Sequence, residues 1–223
     1  MASLTVENYV KVIYQQCAKS QSRSAATGQI AEALAVSPGT VTSMLKTLGE
    51  TNLATYTPYE GARLTAAGER LALKVIRRHR LLELFLVQTL DMPWDEVHEE
   101  AEHMEHSVSE RLIDRIDAFL GQPAVDPHGD PIPRSDGTLP RPEGTPLATL
   151  PRGQTFRVVR VVDQDPAFLR YLSECGLDLN ASGEIVENRP EAGALVIRLG
   201  DRPVALGHEA AGKVMVHREG SQP

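Results

Sequence analysis

The chain has 223 residues, 41% apolar and 24% charged, the make-up of a folded soluble protein rather than a disordered one. No apolar run is long enough to cross a bilayer and the first residues lack the apolar core of a signal peptide, so a cytoplasmic protein without membrane contact is expected. The net charge of −7 conceals an asymmetry: residues 1–80 carry ten Lys and Arg against five Asp and Glu, residues 81–130 carry two against thirteen, and residues 131–223 carry eleven against twelve.

The basic first part calls for an anionic partner and the acidic middle for a cation. Val6, Tyr9, Val10, Ile13 and Tyr14 fall at helical spacing over residues 5–20. A short amphipathic helix from Thr27 follows, with Ile30, Ala31 and Leu34 inward. Ser37 then suits an N-cap and Pro38 the first position of another helix, whose Val41, Met44, Leu45 and Leu48 form one apolar face. Two short helices joined by a tight turn make the helix-turn-helix pattern. Ser37, Pro38 and Gly39 at the start of the second helix, with Thr40, Thr42, Ser43 and Lys46 off its apolar face, are candidate DNA contacts. Small hydroxyl residues approach bases and phosphates without steric conflict, and a helix N-terminus favours an anion. Residues 53–65 read as a β-hairpin with Glu60-Gly61 at its turn, a wing whose Tyr59 and Arg63 are positioned for the sugar-phosphate backbone. The same polar residues would also suit a solvated helix face; the local positive charge favours DNA.

A long helix is predicted from Thr65 to about Leu90, and a second from near Pro93 through Ser109 and Phe119 toward Gly121. Four of the seven histidines lie between positions 79 and 106, interleaved with carboxylates. His79 and Glu83 are four apart and share one helix face. On the second helix His98, Glu102 and Glu105 fall within about 60°, with His106 about 40° further round. Imidazole and carboxylate converging without cysteine suit a divalent ion such as Mn, Fe or Zn, and without a cation such donors would repel one another. Cys17 and Cys175 match neither a zinc spacing nor a disulfide framework.

From Gln122 to Pro151 the chain has eight prolines and three glycines and reads as a linker with little prospect of helix or strand. Beyond it come a strand at 155–162, a short helix closed by Gly176, and strands at 184–187, 194–199, 202–205 and 213–217. Many short strands in so few residues suggest a small antiparallel barrel.

In this order the parts resemble the diphtheria toxin repressor family, including its iron-dependent and manganese-transport regulators. The resemblance spans nearly the whole chain. It rests on Glu7-x-Tyr9, Ala31-Glu-Ala-Leu-Ala-Val-Ser37, Leu64-Thr-x-x-Gly68, Arg78-His79-Arg-Leu-Leu-Glu83, Val97-His98, Glu105-His106 and Pro127-His-Gly-Asp-Pro-Ile-Pro133. It implies an α+β multidomain protein: a winged helix-turn-helix at 1–73, a helical dimerisation and metal-binding domain at 74–139, a Pro-rich linker at 140–151 and an SH3-like β-barrel at 152–218. It further implies a homodimer that binds a pseudo-palindromic double-stranded operator when loaded with metal, repressing metal-uptake genes.

Carried over residue by residue, the family's regulatory metal site would use Asn8, Glu102, Glu105 and His106. Its ancillary site would use His79, Glu83 and His98, completed from the C-terminal domain, where Asp163, Gln164 and Asp165 are candidates. Iron-type members have Met and Cys where Asn8 and Glu102 stand. Glu102 resembles the manganese type, so Mn(II) is expected, with Fe(II) the alternative. Manganese-type members carry Asp and Glu where Asn8 and Lys11 stand, so a carboxylate is missing and a close two-metal site is not expected. Two rival readings are a metallohydrolase on the same ligands, with Glu99 or His103 as acid or base, and a DNA-binding protein whose middle helices only dimerise. The hydrolase reading lacks a His-Glu-x-x-His signature.

Overall fold

A computed structural model describes residues 3–20 and 22–220, so the first two positions of the predicted DNA-binding domain lie outside the described residues. The chain forms two compact units, one built from residues 1–79, 105–107 and 133–139, the other from 80–104, 108–132 and 140–223.

The first unit opens with α1 (Leu4–Lys19), N-capped by Ser3, whose hydroxyl accepts from the Val6 amide. The helical spacing of its apolar residues buries Tyr9, Val10 and Ile13 against α2 (Thr27–Ala33) and α3 (Pro38–Glu50). Ala35 turns the chain between α2 and α3 with φ 51°, a left-handed conformation uncommon outside glycine. Ser37 caps α3, accepting from the Thr40 amide at 3.1 Å, and Pro38 occupies the first turn. Burial of Val41, Leu45 and Leu48 leaves the opposite face of α3 in solvent.

Strands β1 (Ala54–Thr57) and β2 (Gly61–Leu64) pair antiparallel, and Ala25 adds a bridge to Ala62 through two reciprocal 2.9 Å hydrogen bonds. The hairpin turn sits earlier than Glu60-Gly61. It is Thr57–Glu60, closed by the Glu60 amide on the Thr57 carbonyl at 3.1 Å, because Pro58 has the fixed φ that the second turn position needs. Gly61 instead permits a close backbone approach. With φ 95°, a side chain there would place its Cβ 2.5 Å from the Ala25 carbonyl oxygen. Helix α4 (Ala66–Leu90) follows, with the Thr65 hydroxyl accepting from the Gly68 amide. Gly68 lets this helix close on the wing, since a Cβ would meet the Leu53 carbonyl oxygen at 2.0 Å.

In the second unit the rest of α4 packs with α5 (Val97–Glu105) and α6 (Glu110–Phe119) around Leu81, Leu82, Ala101, Ile113 and Ile116. The single helix predicted from Pro93 to Gly121 is thus two. Ser109 ends the continuity by capping α6, its hydroxyl accepting from the Leu112 amide at 3.2 Å. The stretch expected to be a structureless linker also holds order: β3 (Thr145–Pro146) and a 3-10 turn at Leu147–Thr149. Leu147 and Leu150, three apart, insert fully into the barrel core, and Pro146 is tolerated because β3 is an edge strand.

The six-stranded antiparallel sheet runs β3-β8-β4-β5-β6-β7, with β4 (Thr155–Val161), β5 (Ser182–Arg189), β6 (Ala194–Leu199), β7 (Arg202–Gly207) and β8 (Val214–Glu219). It is the small barrel that the alternating strands predicted, filled by Phe156, Val158, Ile185, Leu195, Ile197 and Val216. Helix α7 (Pro166–Cys175) covers it, ending at Gly176 with φ 79°, and α8 (His208–Gly212) precedes the last strand. The loop after α6 lies on β4. The Val161 amide donates to the His128 carbonyl at 2.8 Å, and Gly129 is needed there because a Cβ would sit 2.1 Å from the Val159 carbonyl oxygen.

Candidate metal centres and nucleic-acid interface

Within the first unit, α1 presents Glu7 and Lys11, one helical turn apart, to Arg78 and His79 of α4 and to Glu105 and His106 at the end of α5. Arg78 grips the Glu7 carboxylate with both terminal nitrogens, at 3.0 and 3.3 Å, and also donates to the Glu105 carbonyl at 3.0 Å. His106 Nδ1 lies 2.8 Å from Glu7, while its Nε2 faces a Glu105 carboxylate oxygen at 3.2 Å. His79 Nδ1 is 2.7 Å from Glu105 Oε2 and 3.3 Å from Lys11 Nζ. One ring nitrogen cannot donate and accept at once. The 2.7 Å contact is the shorter, and there Nδ1–H donates to Glu105.

The Lys11 ammonium lies 3.0 and 3.1 Å from the two Glu105 oxygens. Burial works to raise the Glu105 pKa, but the His79 hydrogen bond and the Lys11 charge outweigh it and hold the carboxyl below its ordinary value. The ionised form of Glu105 is thus favoured, with the Lys11 ammonium as its resident counter-charge. Of the predicted regulatory ligands, Glu105 and His106 come together here, and Asn8 lies half-buried beside Glu7 on α1. Glu102 belongs to the second unit, exposed on α5, 3.8 Å from His98. Glu7 and Arg78 stand out in the sequence only as parts of motifs. Their role is hidden there because no helical period reveals which carboxylate a distant arginine will reach.

The second unit holds a deeper cluster. Glu83 lies 3.2 Å from His98 Nδ1, and its other oxygen is 3.9 Å from His128 Nδ1. Asp126 Oδ1 is 4.0 Å from the same nitrogen and accepts from the His128 and Asp130 amides at 2.8 and 2.9 Å. His128 is 0% exposed, stacks on Trp94, and donates from Nε2 to the Trp94 carbonyl at 2.8 Å. Its Nδ1 is buried with no hydrogen bond and faces two carboxylates. Burial, then the Glu83 and Asp130 charges, push the Asp126 carboxyl well above its ordinary value, partly offset by Arg80. Three donor atoms from Glu83, Asp126 and His128 lie within 4.8 Å of one another. A divalent cation fits this set: it would satisfy the bare nitrogen and relieve the repulsion between the carboxylates.

Asp126 and His128 escape notice as candidate ligands in the sequence, where they fall in a Pro- and Gly-rich stretch. The signal available is an aspartate and a histidine two apart in a turn. The C-terminal candidates sit differently from the expectation. Asp163 accepts from Lys213 at 3.0 Å, and Asp165 caps α7 through the Ala167 and Phe168 amides. Neither joins a cluster of three donors among the described residues. Gln164 reaches across instead, donating to Asp130 at 3.0 Å. Glu99 and His103, the nominal acid–base pair of a hydrolase, are exposed on α5. His79 itself falls in the first unit.

The residues expected to meet DNA lie on α3 and the wing. Ser37, Pro38, Gly39, Thr40, Ser43 and Lys46 are exposed; Thr42 is half-buried, its hydroxyl donating to the Pro38 carbonyl at 3.0 Å. A Cβ on Gly39 would meet nothing nearer than the Ser37 hydroxyl at 3.7 Å, so the fold itself does not require glycine there. Tyr59 stands fully exposed at the wing tip with φ 69°, a strained conformation for an aromatic residue. Arg63 is exposed as well, one guanidinium nitrogen donating to the Ser22 carbonyl at 3.0 Å.

A winged helix-turn-helix followed by buried carboxylate–imidazole clusters and a small barrel defines a metal-dependent DNA-binding regulator. Family models agree segment by segment: the iron-dependent repressor N-terminal DNA-binding domain at residues 1–62, the iron-dependent repressor metal-binding and dimerisation domain at 65–134, and the FeoA domain at 145–218. The iron-dependent repressor IdeR of Mycobacterium tuberculosis is 31% identical over 96% of this chain and 97% of its own. The diphtheria toxin repressor of Corynebacterium jeikeium is 32% identical over 64% of this chain and 57% of its own. A solved manganese-dependent transcriptional repressor in complex with manganese is 40% identical, with a TM-score of 0.85 over 96% of this chain and 100% of that one. The chain belongs to the iron-dependent repressor family of metal-dependent, DNA-binding transcriptional repressors.

Proposed function

We propose that this chain is a manganese-responsive repressor that binds a pseudo-palindromic operator as a homodimer in the cytoplasm, with Fe(II) as the second ion to consider. The observation that carries the reading is the bare, fully buried Nδ1 of His128 facing Glu83 and Asp126, a place that calls for a cation. Every donor in both clusters is a carboxylate or an imidazole. Cys17 on α1 and Cys175 on α7 contribute no thiolate to either, and such a set favours harder ions such as Mn(II). The 40% identical manganese-dependent repressor supports manganese, whereas the IdeR relatives are iron-dependent.

In the first cluster Glu105 and His106, with His79 beside them and Asn8 on α1 as the fourth candidate, would hold the regulatory ion. The ion supplies a charge that binds more tightly to one arrangement of α1 than to another, and differential affinity is all a ligand contributes to a switch. Because Glu7 and Lys11 fasten α1 to these residues, the bias reaches the helix-turn-helix through one rigid element. The second cluster would hold an ancillary ion on Glu83, Asp126 and His128, with His98 on Glu83. Thr40, Ser43, Lys46, Tyr59 and Arg63 would meet the operator.

Dimerisation is supported by an apolar groove between α4, α5 and α6, lined by Leu82, Phe85, Met104, Leu112, Ile116 and Phe119, with Phe119 70% exposed. Among the described residues no helix is long and apolar enough to cross a membrane. Operator binding measured by fluorescence anisotropy with Mn(II), Fe(II) under anaerobic conditions, Zn(II) or a chelator tests the whole reading. Tight binding with Mn(II) and loss with chelator are expected. Equal binding with and without metal would overturn metal control, and a preference for Fe(II) would overturn the choice of ion.

A further inference from the structure

The first cluster is balanced before any metal arrives: two buried carboxylates, Glu7 and Glu105, face two buried cations, Arg78 and Lys11. The two cations act differently. Arg78 binds Glu7 and a backbone carbonyl, neither of which the proposed ion needs. Lys11 instead contacts both oxygens of Glu105, the carboxylate that the ion does need. We propose that the Lys11 ammonium is a resident cation of this centre. It holds Glu105 in place in the metal-free chain and competes with the incoming divalent ion for that carboxylate, raising the metal concentration at which the repressor switches.

The physical argument is one of shared ligands. Glu105 meets Lys11 on both oxygens, His79 on one and His106 on the other, so its roughly four lone-pair sites are taken and Lys11 must give up at least one contact when the ion binds. Both charges then lie within a few ångströms in a buried site, where an effective dielectric of about 20 leaves their repulsion large against thermal energy. Removing the ammonium removes this competition. It also leaves Glu105 buried beside fewer cations, so the metal-free protein is destabilised and gains more from the ion. Both effects tighten metal binding.

The inference rests on Glu105 being a ligand, and the test separates the two claims. Lys11→Met keeps the buried stem and deletes the charge; Lys11→Arg keeps the charge. Mn(II) affinity is measured on the full-length protein by calorimetry, and by the loss of the free Mn(II) electron paramagnetic resonance signal. Thermal unfolding is followed with Mn(II) and with chelator. Lys11→Met is expected to bind Mn(II) about tenfold or more tightly, with a lower metal-free melting temperature and a larger rise on adding Mn(II); Lys11→Arg is expected to match the parent protein. A folded Lys11→Met with unchanged or weaker Mn(II) affinity would overturn the proposal, as would Lys11→Arg behaving like Lys11→Met. If Lys11→Met does not fold, Lys11→Gln is measured in the same way and judged by the same outcomes. Glu105→Gln tests the underlying reading: parental Mn(II) binding in that variant would remove Glu105 from the site, whatever Lys11 does.

Discussion

Asp126 is a carboxyl in an unfavourable place, fully buried with Glu83 and Asp130 beside it. Its pKa in the folded chain is raised above the unfolded value. Its contribution to stability is therefore present below the ordinary aspartate range and lost as pH rises through the raised value. The metal-free protein is expected to lose melting temperature over that rise, and Asp126→Asn to flatten the slope. Saturating Mn(II) is expected to flatten it too, by stabilising the ionised form. Melting curves against pH with chelator and with Mn(II) check this, and an unchanged slope in Asp126→Asn would assign the pH dependence elsewhere. At this scale the sequence is half legible. Glu105 and His106 can be picked out because carboxylate and imidazole at helical spacing on an acidic helix are conspicuous. Asp126 and His128 cannot, because their convergence on Glu83 is made by a turn without periodicity.

Elements are more readable, since caps and periods are local. Ser37-Pro38, Gly176 and the alternation in β4 each place a boundary within a residue or two of the one observed. The break between α5 and α6 escapes because the apolar residues on either side keep nearly one helical phase, and a mid-run serine reads as easily for surface as for cap. Ser109→Ala is expected to lower stability by about 1 kcal/mol, the usual worth of such a cap, measurable by denaturant unfolding. The wing offers the opposite test. Tyr59 occupies left-handed backbone at the tip, so Tyr59→Gly is expected to relieve strain and raise stability by about 1 kcal/mol or less. The same variant is expected to weaken operator binding by removing an aromatic contact. A gain in stability without loss of affinity would take Tyr59 out of the interface.

For the whole molecule, the order of modules can be read from the charge and composition of successive stretches, and the family models match residues 1–62, 65–134 and 145–218 in that order. What cannot be read is how the chain is shared between compact units. Phe119 tests the assembly: Phe119→Asp places a charge in the apolar groove and is expected to give monomers by sedimentation and to cost operator affinity more than tenfold, since each half-site is then bound alone. A dimer that persists in this variant would move the interface elsewhere. Operator affinity is also expected to fall steeply with salt, as phosphate contacts release counterions.

The chain's path through its units has a consequence for how this repressor could be taken apart or could have been assembled. The DNA-reading unit borrows residues 105–107 and 133–139 from a stretch that otherwise belongs to the other unit. A fragment cut after α4 would lack Glu105 and His106, so Lys11 would lose the carboxylate it contacts and Glu7 would keep Arg78 but lose His106. The residues proposed to sense the metal thus lie in the same compact unit as the helix-turn-helix. A gene fusion that transplanted only the helix-turn-helix and wing would carry an incomplete fold. The barrel is no freer: it shares one compact unit with residues 80–104 and 108–132, so exchanging the barrel alone would also divide a unit.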